Sequence, residues 1–354
     1  MNNCENKSRY FAAINSGHGF VSFFEDIFFG EGISRRYIIK GGPGTGKSSF
    51  MKRVAAKAEG QGMSVEYYYC SSDTDSLDGL VIGGRIALLD GTAPHSFDAI
   101  LPGACDEIVN LGEFWDSEKL GECSEKIGLL GEKKRKAYSL AYTYLSAAQK
   151  SGEAMKELTE YALMIHKLKS AVHREFIKIG LDIREKGRIT PRQCVGFGTR
   201  GIRHFDTLET LAEQRVYVDD FYGAAEAFMR ELCGVAEQCG AEAWVSYDTI
   251  NSKTPTEIYF PERKKYFTII NDKNISLSHN KIINTKRFVD NQALVGIRRL
   301  YRESERARDT LKALAAEALA DAGRAHGELE EIYVSAMDFK RLSEYCERFC
   351  SKIK

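Results

Sequence analysis

Gly41-Gly-Pro-Gly-Thr-Gly-Lys-Ser48, followed by Ser49, stands between a short apolar run, Arg36-Tyr-Ile-Ile-Lys40, and a stretch of helix formers that continues to Ala58. The octapeptide satisfies the pattern G-x-x-x-x-G-K-[ST] at every fixed position. Glycines let the backbone turn its N–H groups onto phosphate oxygens, the lysine brings a positive charge to the β- and γ-phosphates, and the serine hydroxyl suits Mg²⁺. Such a loop must leave a strand and open a helix whose N-terminal dipole attracts anions, and both flanks comply. Phe50, Met51 and Val54 recur at helical spacing. The expectation is an α/β fold in which Gly41, Gly42, Pro43, Gly44, Thr45, Gly46, Lys47, Ser48 and Ser49 cradle the phosphates of a nucleoside triphosphate.

A metal-bound phosphate also needs a carboxylate, usually at the end of a neighbouring apolar strand. Ile86-Ala-Leu-Leu-Asp90 supplies one, and Ser64-Val-Glu-Tyr-Tyr-Tyr-Cys70 reads as a further strand. Ser48 and Asp90 are therefore the expected Mg²⁺ residues. Two polar segments, Cys70 to Asp78 and Asp90 to His95, should meet at the same strand ends, where α/β sheets bind ligands. Asp73, Asp75 and Asp78 suit a water-orienting role, and equally suit a capped turn that opens a helix. His95 reads as a γ-phosphate sensor or acid, or as a loop histidine bonded to backbone.

Taken with Phe11-Ala-Ala-Ile-Asn-Ser-Gly-His-Gly-Phe20 and Pro102-Gly-Ala-Cys-Asp-Glu-Ile-Val-Asn-Leu-Gly-Glu-Phe-Trp115, these segments resemble an uncharacterised bacterial family of tandem P-loop ATPase-like proteins. The resemblance spans essentially the whole chain. It implies two related halves and an ATP-binding fold, and it carries no substrate.

The chain has 354 residues, enough for two domains, and 43% of them are hydrophobic. Its 50 acidic and 50 basic side chains cancel, so no global field favours nucleic acid or anionic lipid. The first residues lack a basic-then-apolar signal, and no apolar run approaches the ~20 residues of a membrane span, so a cytoplasmic protein is expected. The nine cysteines form no C-x-x-C pair, and Cys346 and Cys350, one helical turn apart, suit reduced thiols. Lys133-Lys-Arg-Lys136 reads as a solvated helix face, and the phenylalanines from Phe20 to Phe29 as a buried one.

An internal repeat governs the second half. Ala141–168 aligns without gaps to 315–342, pairing Leu145 with Leu319, Ala162 with Ala336 and Ile165 with Phe339, while Phe50-Met51 falls on Phe228-Met229. One residue is missing from the second loop, Ala225 stands where Lys47 stood, and Glu226 where Ser48 stood. With Asp219 and Asp220 beside it, this second loop gathers negative charge and should not bind ATP. That departs from the resembled family, where both halves would keep their loops.

The expected architecture is two tandem P-loop NTPase-like parallel-sheet units, the second degenerate. Residues 1–185 would hold the active unit with a helical hairpin over 117–178 turning at Gly152. Residues 186–354 would hold the other, with a hairpin over 291–352 turning near Gly323 to Gly327. The hairpins would pack together or grip a protein partner. The leading expectation is a Mg²⁺-dependent ATPase with Lys47, Asp73, Asp75 and His95 in catalytic roles. A small-molecule or nucleotide kinase and an ATP-regulated scaffold are the alternatives.

Overall fold

A computed structural model describes residues 8–93, 96–181, 187–270 and 281–353. The first half runs β1 (Ser8–Phe11), β2 (Ala13–Ser16), β3 (Gly19–Ser22), α1 (Phe24–Phe28), β4 (Arg35–Lys40), α2 (Lys47–Gly60), β5 (Val65–Tyr69), β6 (Leu77–Ile82), β7 (Ile86–Asp90), β8 (Asp106–Asn110), α3 (Ser117–Glu122), α4 (Ser124–Ala162) and α5 (Ile165–Ile177). The second continues β9 (Ile189–Pro191), β10 (Val195–Gly198), β11 (Gly201–His204), α6 (Thr207–Leu211), β12 (Gln214–Asp219), α7 (Ala224–Gln238), β13 (Ala243–Tyr247), β14 (Pro255–Phe260), β15 (Lys265–Ile270), β16 (Lys281–Asn284), α8 (Asn291–Ala336) and α9 (Phe339–Cys350).

The fold is α/β and built twice. One six-stranded sheet has the order β1-β5-β6-β7-β4-β8, and the other, read in the matching direction, β9-β13-β14-β15-β12-β16. Both are mixed rather than parallel, because β6 and β14 each run antiparallel to both neighbours. The cause is local. Only a tight turn, with Gly83 and Gly84 at φ +58° and +68°, joins β6 to β7, and such a link closes antiparallel strands only. The segment from Asp73 to Asp78 thus leads into β6 rather than opening a helix.

Alternate residues of each sheet enter different cores. In the first sheet Tyr37, Ile39, Tyr67, Leu80 and Leu88 pack under α2 and α9. Ile38, Tyr68, Val81 and Leu89 point the other way, into a core shared with Leu208, Tyr259 and Tyr266 of the second half, where Phe23, Phe24 and Phe28 are also buried. One core rich in aromatic side chains thus takes residues from both sheets.

The helical segments differ from the expected hairpins. α4 is one helix of 39 residues that runs through Gly152, and α8 is one of 46 that runs through Gly323 and Gly327. They lie antiparallel, as Lys133 pairs with Glu328 at 3.7 Å while the Ser151 hydroxyl donates to the Ser304 carbonyl at 2.8 Å. Ala141, Leu145 and Ala148 meet Ala315, Ala318 and Leu319 along the seam. Gly323 serves close approach here: a Cβ would sit 2.8 Å from Thr199 Cγ2. The helices break instead at Leu163-Met164 and Met337-Asp338, just past the repeat-paired Ala162 and Ala336.

Beyond those breaks the halves exchange helices. α5 buries Leu168, Val172 and Phe176 against Phe228, Met229 and Leu232 of the second unit. α9 buries Leu342, Cys346 and Phe349 against Phe50, Met51 and Val54 of the first. Packing thus gives α5 to the unit that follows it in the chain and α9 to the first. Among the described residues no helix is long and apolar enough to cross a membrane.

Candidate functional site

β4 delivers the chain to the loop Gly41–Gly46, and α2 starts at Lys47 with Gly46 as its left-handed cap. Gly44 and Gly46 have φ +65° and +87°, values that glycine adopts without strain. Thr45 Oγ1 donates to the Gly42 carbonyl at 2.8 Å and ties the loop across itself. The Lys47 ammonium donates to the carbonyls of Gly41 and Gly42 at 3.0 and 2.8 Å, and lies 3.6 Å from Asp90 Oδ2. β7 is the direct neighbour of β4, so Asp90 reaches the loop from the end of an adjacent strand. Burial raises the Asp90 carboxyl above its ordinary value, opposed by the charge of Lys47 and the Thr92 hydroxyl. Ser48 Oγ accepts the Leu77 N–H at 3.0 Å, while Pro43 is half-buried and Ser49 exposed.

Asp73 and Asp75 are held by the other half of the molecule. Arg200 donates to both, at 2.8 and 2.7 Å, and Asp73 also accepts the Ser76 hydroxyl at 2.6 Å. Against the burial that would raise it, Ser76, the Asp75 N–H and Arg200 hold the Asp73 carboxyl below its ordinary value, so it is ionised at neutral pH. Asp78 lies buried within β6. His95 lies outside the described residues.

The long helices add groups that no local sequence signal marked. The ends of α8 and α9 press on the loop: a Cβ on Gly42 would lie 2.6 Å from the Tyr333 ring, one on Gly44 2.8 Å from the Glu330 carbonyl oxygen, and one on Gly46 3.2 Å from Leu342. Burial and then Asp73 raise the Glu330 carboxyl, opposed by the Gly44 N–H, Lys47 and Lys134. His326 of α8 takes the Lys134 ammonium of α4 on Nδ1 at 3.0 Å and faces Glu330 with Nε2 at 3.6 Å. Burial, Lys134 and Lys47 push this imidazole down to about 4, so it is neutral. Of the basic run, Lys133, Arg135 and Lys136 face solvent as the sequence suggests, whereas Lys134 turns inward.

The second loop has the same entry and exit with different contents. Tyr222 and Gly223 adopt φ +54° and +77°, and Gly223 caps α7 as Gly46 caps α2. Phe228 and Met229 keep the packing of Phe50 and Met51. The Asp220 carboxylate accepts the N–H groups of Gly223 and Ala225 at 3.1 and 2.9 Å, so the loop amides are satisfied by the chain's own anion. Beside it lies a polar cavity of about 870 Å³, lined among others by Asp220, Glu226, Asp248, Arg230, Tyr301 and Arg308. Burial, Asp248 and Asp220 push the Glu226 carboxyl up to about 7.

The chain matches no family model, no curated protein and no solved structure. The functional reading therefore rests on the residues themselves.

Proposed function

We propose that the first unit binds ATP with Mg²⁺ in the Gly41–Ser48 loop and hydrolyses it, making the protein a single-site P-loop ATPase. The observation that carries this reading is the setting of Lys47. Its ammonium is folded onto the loop carbonyls of Gly41 and Gly42, 3.6 Å from Asp90, at the first position of a helix opened by a left-handed glycine. Loop amides and a helix N-terminus favour an anion there, and the lysine needs only to exchange carbonyl partners for phosphate oxygens. Ser48 and Asp90 are an oxygen-donor pair of the kind Mg²⁺ takes. Bound there, the ion would neutralise charge on the β- and γ-phosphate oxygens. Asp73, ionised and partly exposed, is the residue best suited to orient water; its partner Asp75 is more exposed still.

The reading is tested by measuring ADP and free phosphate from purified protein with Mg²⁺-ATP and no acceptor, beside Lys47→Ala. Phosphate release that disappears in the variant supports the ATPase. Nucleotide binding without release moves the kinase and scaffold readings ahead, and no binding at all removes the nucleotide reading.

A further inference from the structure

Among the described residues, Lys134 is a cation beside the first loop that the nucleotide reading leaves unused. It projects inward from α4 while its three basic neighbours face solvent, and its partner is a neutral imidazole rather than a carboxylate. His326, which holds it, sits one helical turn before Glu330, whose backbone packs on Gly44. Burial and the nearby charge of Lys47 lower the Lys134 ammonium from its ordinary value, offset by Cys70 and Glu330. Two lysines from different elements thus lie close enough to repel near one loop; Asp90 and Glu330 offset part of that repulsion, and an anion between the lysines would offset more.

The repeat supplies an independent reading of this position. Continuing the gapless alignment back along the two helices pairs Lys134 of α4 with Arg308 of α8, and His326 with Gly152. The crossing is kept, since a Cβ on Gly152 would lie 4.0 Å from Arg308 Cδ. Arg308 lines the second cavity with Asp220 and Glu226, and its charge opposes the rise of the Glu226 carboxyl. In the second unit the order is loop amides, the Asp220 carboxylate, then a neighbourhood containing a helix-borne cation. In the first unit the loop and the helix-borne cation are both present, and the loop carries no carboxylate, because Gly41 and Gly42 follow β4 where Asp220 follows β12. An external anion completes the series.

We propose that Lys134, oriented by His326 of the other half, is a second phosphate-contacting cation of the first site and selects nucleoside triphosphate over diphosphate by meeting the terminal phosphate. This rests on the nucleotide reading given above. The device is that of a cation supplied to a phosphate loop from a separate element, which adds to the charge the loop lysine brings to the terminal phosphate. It also makes the first site a product of both halves, since the residue that positions Lys134 lies on α8.

The test is isothermal titration of the full chain with Mg²⁺-ATP and Mg²⁺-ADP. Wild type should prefer ATP. Lys134→Met, which keeps the aliphatic stem, should weaken ATP about tenfold or more and leave ADP within about twofold. Lys134→Gln should do the same, and thermal melting of both variants checks that they fold. His326→Ala should lose part of the preference, and His326→Gln, which still offers Lys134 an acceptor, should restore it. Equal weakening of ATP and ADP, or no change, in a folded Lys134 variant overturns the proposal and leaves the nucleotide site standing. Wild type that binds neither nucleotide overturns both.

Discussion

The ring of Phe349 lies 5.0 Å from that of Phe50 and 4.8 Å from that of Tyr37, centre to centre, so the last helix of the chain is built into the core beneath the glycine loop. Phe349 is 1% exposed and Phe50 2%. The helix that opens at Lys47 is therefore supported by residues some three hundred positions further along. Stability of the first unit and integrity of the C-terminus are one property.

Phe349→Ala should cost about 3–5 kcal/mol, the usual range for emptying an aromatic site in a closed core. Urea unfolding measures it, and a loss under about 1 kcal/mol would mean that α9 is not docked as described. The same substitution should weaken whatever the Gly41–Ser48 loop binds, because α2 loses its backing.

Gly42 and Tyr333 offer a direct check on the contact between the loop and α8. An alanine Cβ at 42 would stand 2.6 Å from Tyr333 Cε1, too close without movement of the ring or the loop. Gly42→Ala should destabilise by about 1–3 kcal/mol. Made in a Tyr333→Ala background it should cost far less, giving a coupling of about 1 kcal/mol or more in a double-mutant cycle. Strict additivity would place α8 away from the loop.

Glu226 predicts a pH dependence. Its folded-state value is raised to about 7 from an ordinary 4.5, so folding favours the protonated acid. That contribution is fully present below the ordinary value and is lost as pH rises through about 7. Glu226→Gln should match wild type near pH 4.5 and melt higher at pH 8. The side chain keeps 40% exposure, so solvent screening reduces the gain to about 1 kcal/mol. A variant less stable than wild type at pH 8 would show that the charged carboxylate is wanted there, by Arg230 or Arg308.

Much of this molecule could be read along the chain. The strand, loop and helix around Gly41–Ser48, the strand that ends in Asp90, and the pairing of Ala162 with Ala336 and Ile165 with Phe339 all depend on spacing within short windows. Each is found where those windows put it. β6 was missed because the Asp-rich stretch before it mimics a helix cap, although the Gly83-Gly84 turn carried a hairpin signal. The glycines of α4 and α8 misled in the other direction. A glycine in a helix costs about 1 kcal/mol, which suggests a break in isolation, yet interhelical packing offsets it where no turn is needed.

The sequence by itself determined the α/β class, the repeat, the strand, loop and helix around Gly41–Ser48 and the absence of a lysine from the second loop, since each is written in spacing and residue type. Only the tertiary structure decided that α5 and α9 change places between the units, that Arg200 holds Asp73, and that Lys134, His326, Glu330 and Tyr333 stand over the first loop. The physical reason is that these contacts join residues some fifty to three hundred positions apart. The crossing of Lys134 and His326 arises from antiparallel packing of α4 on α8, whose register is set by side chains on both at once.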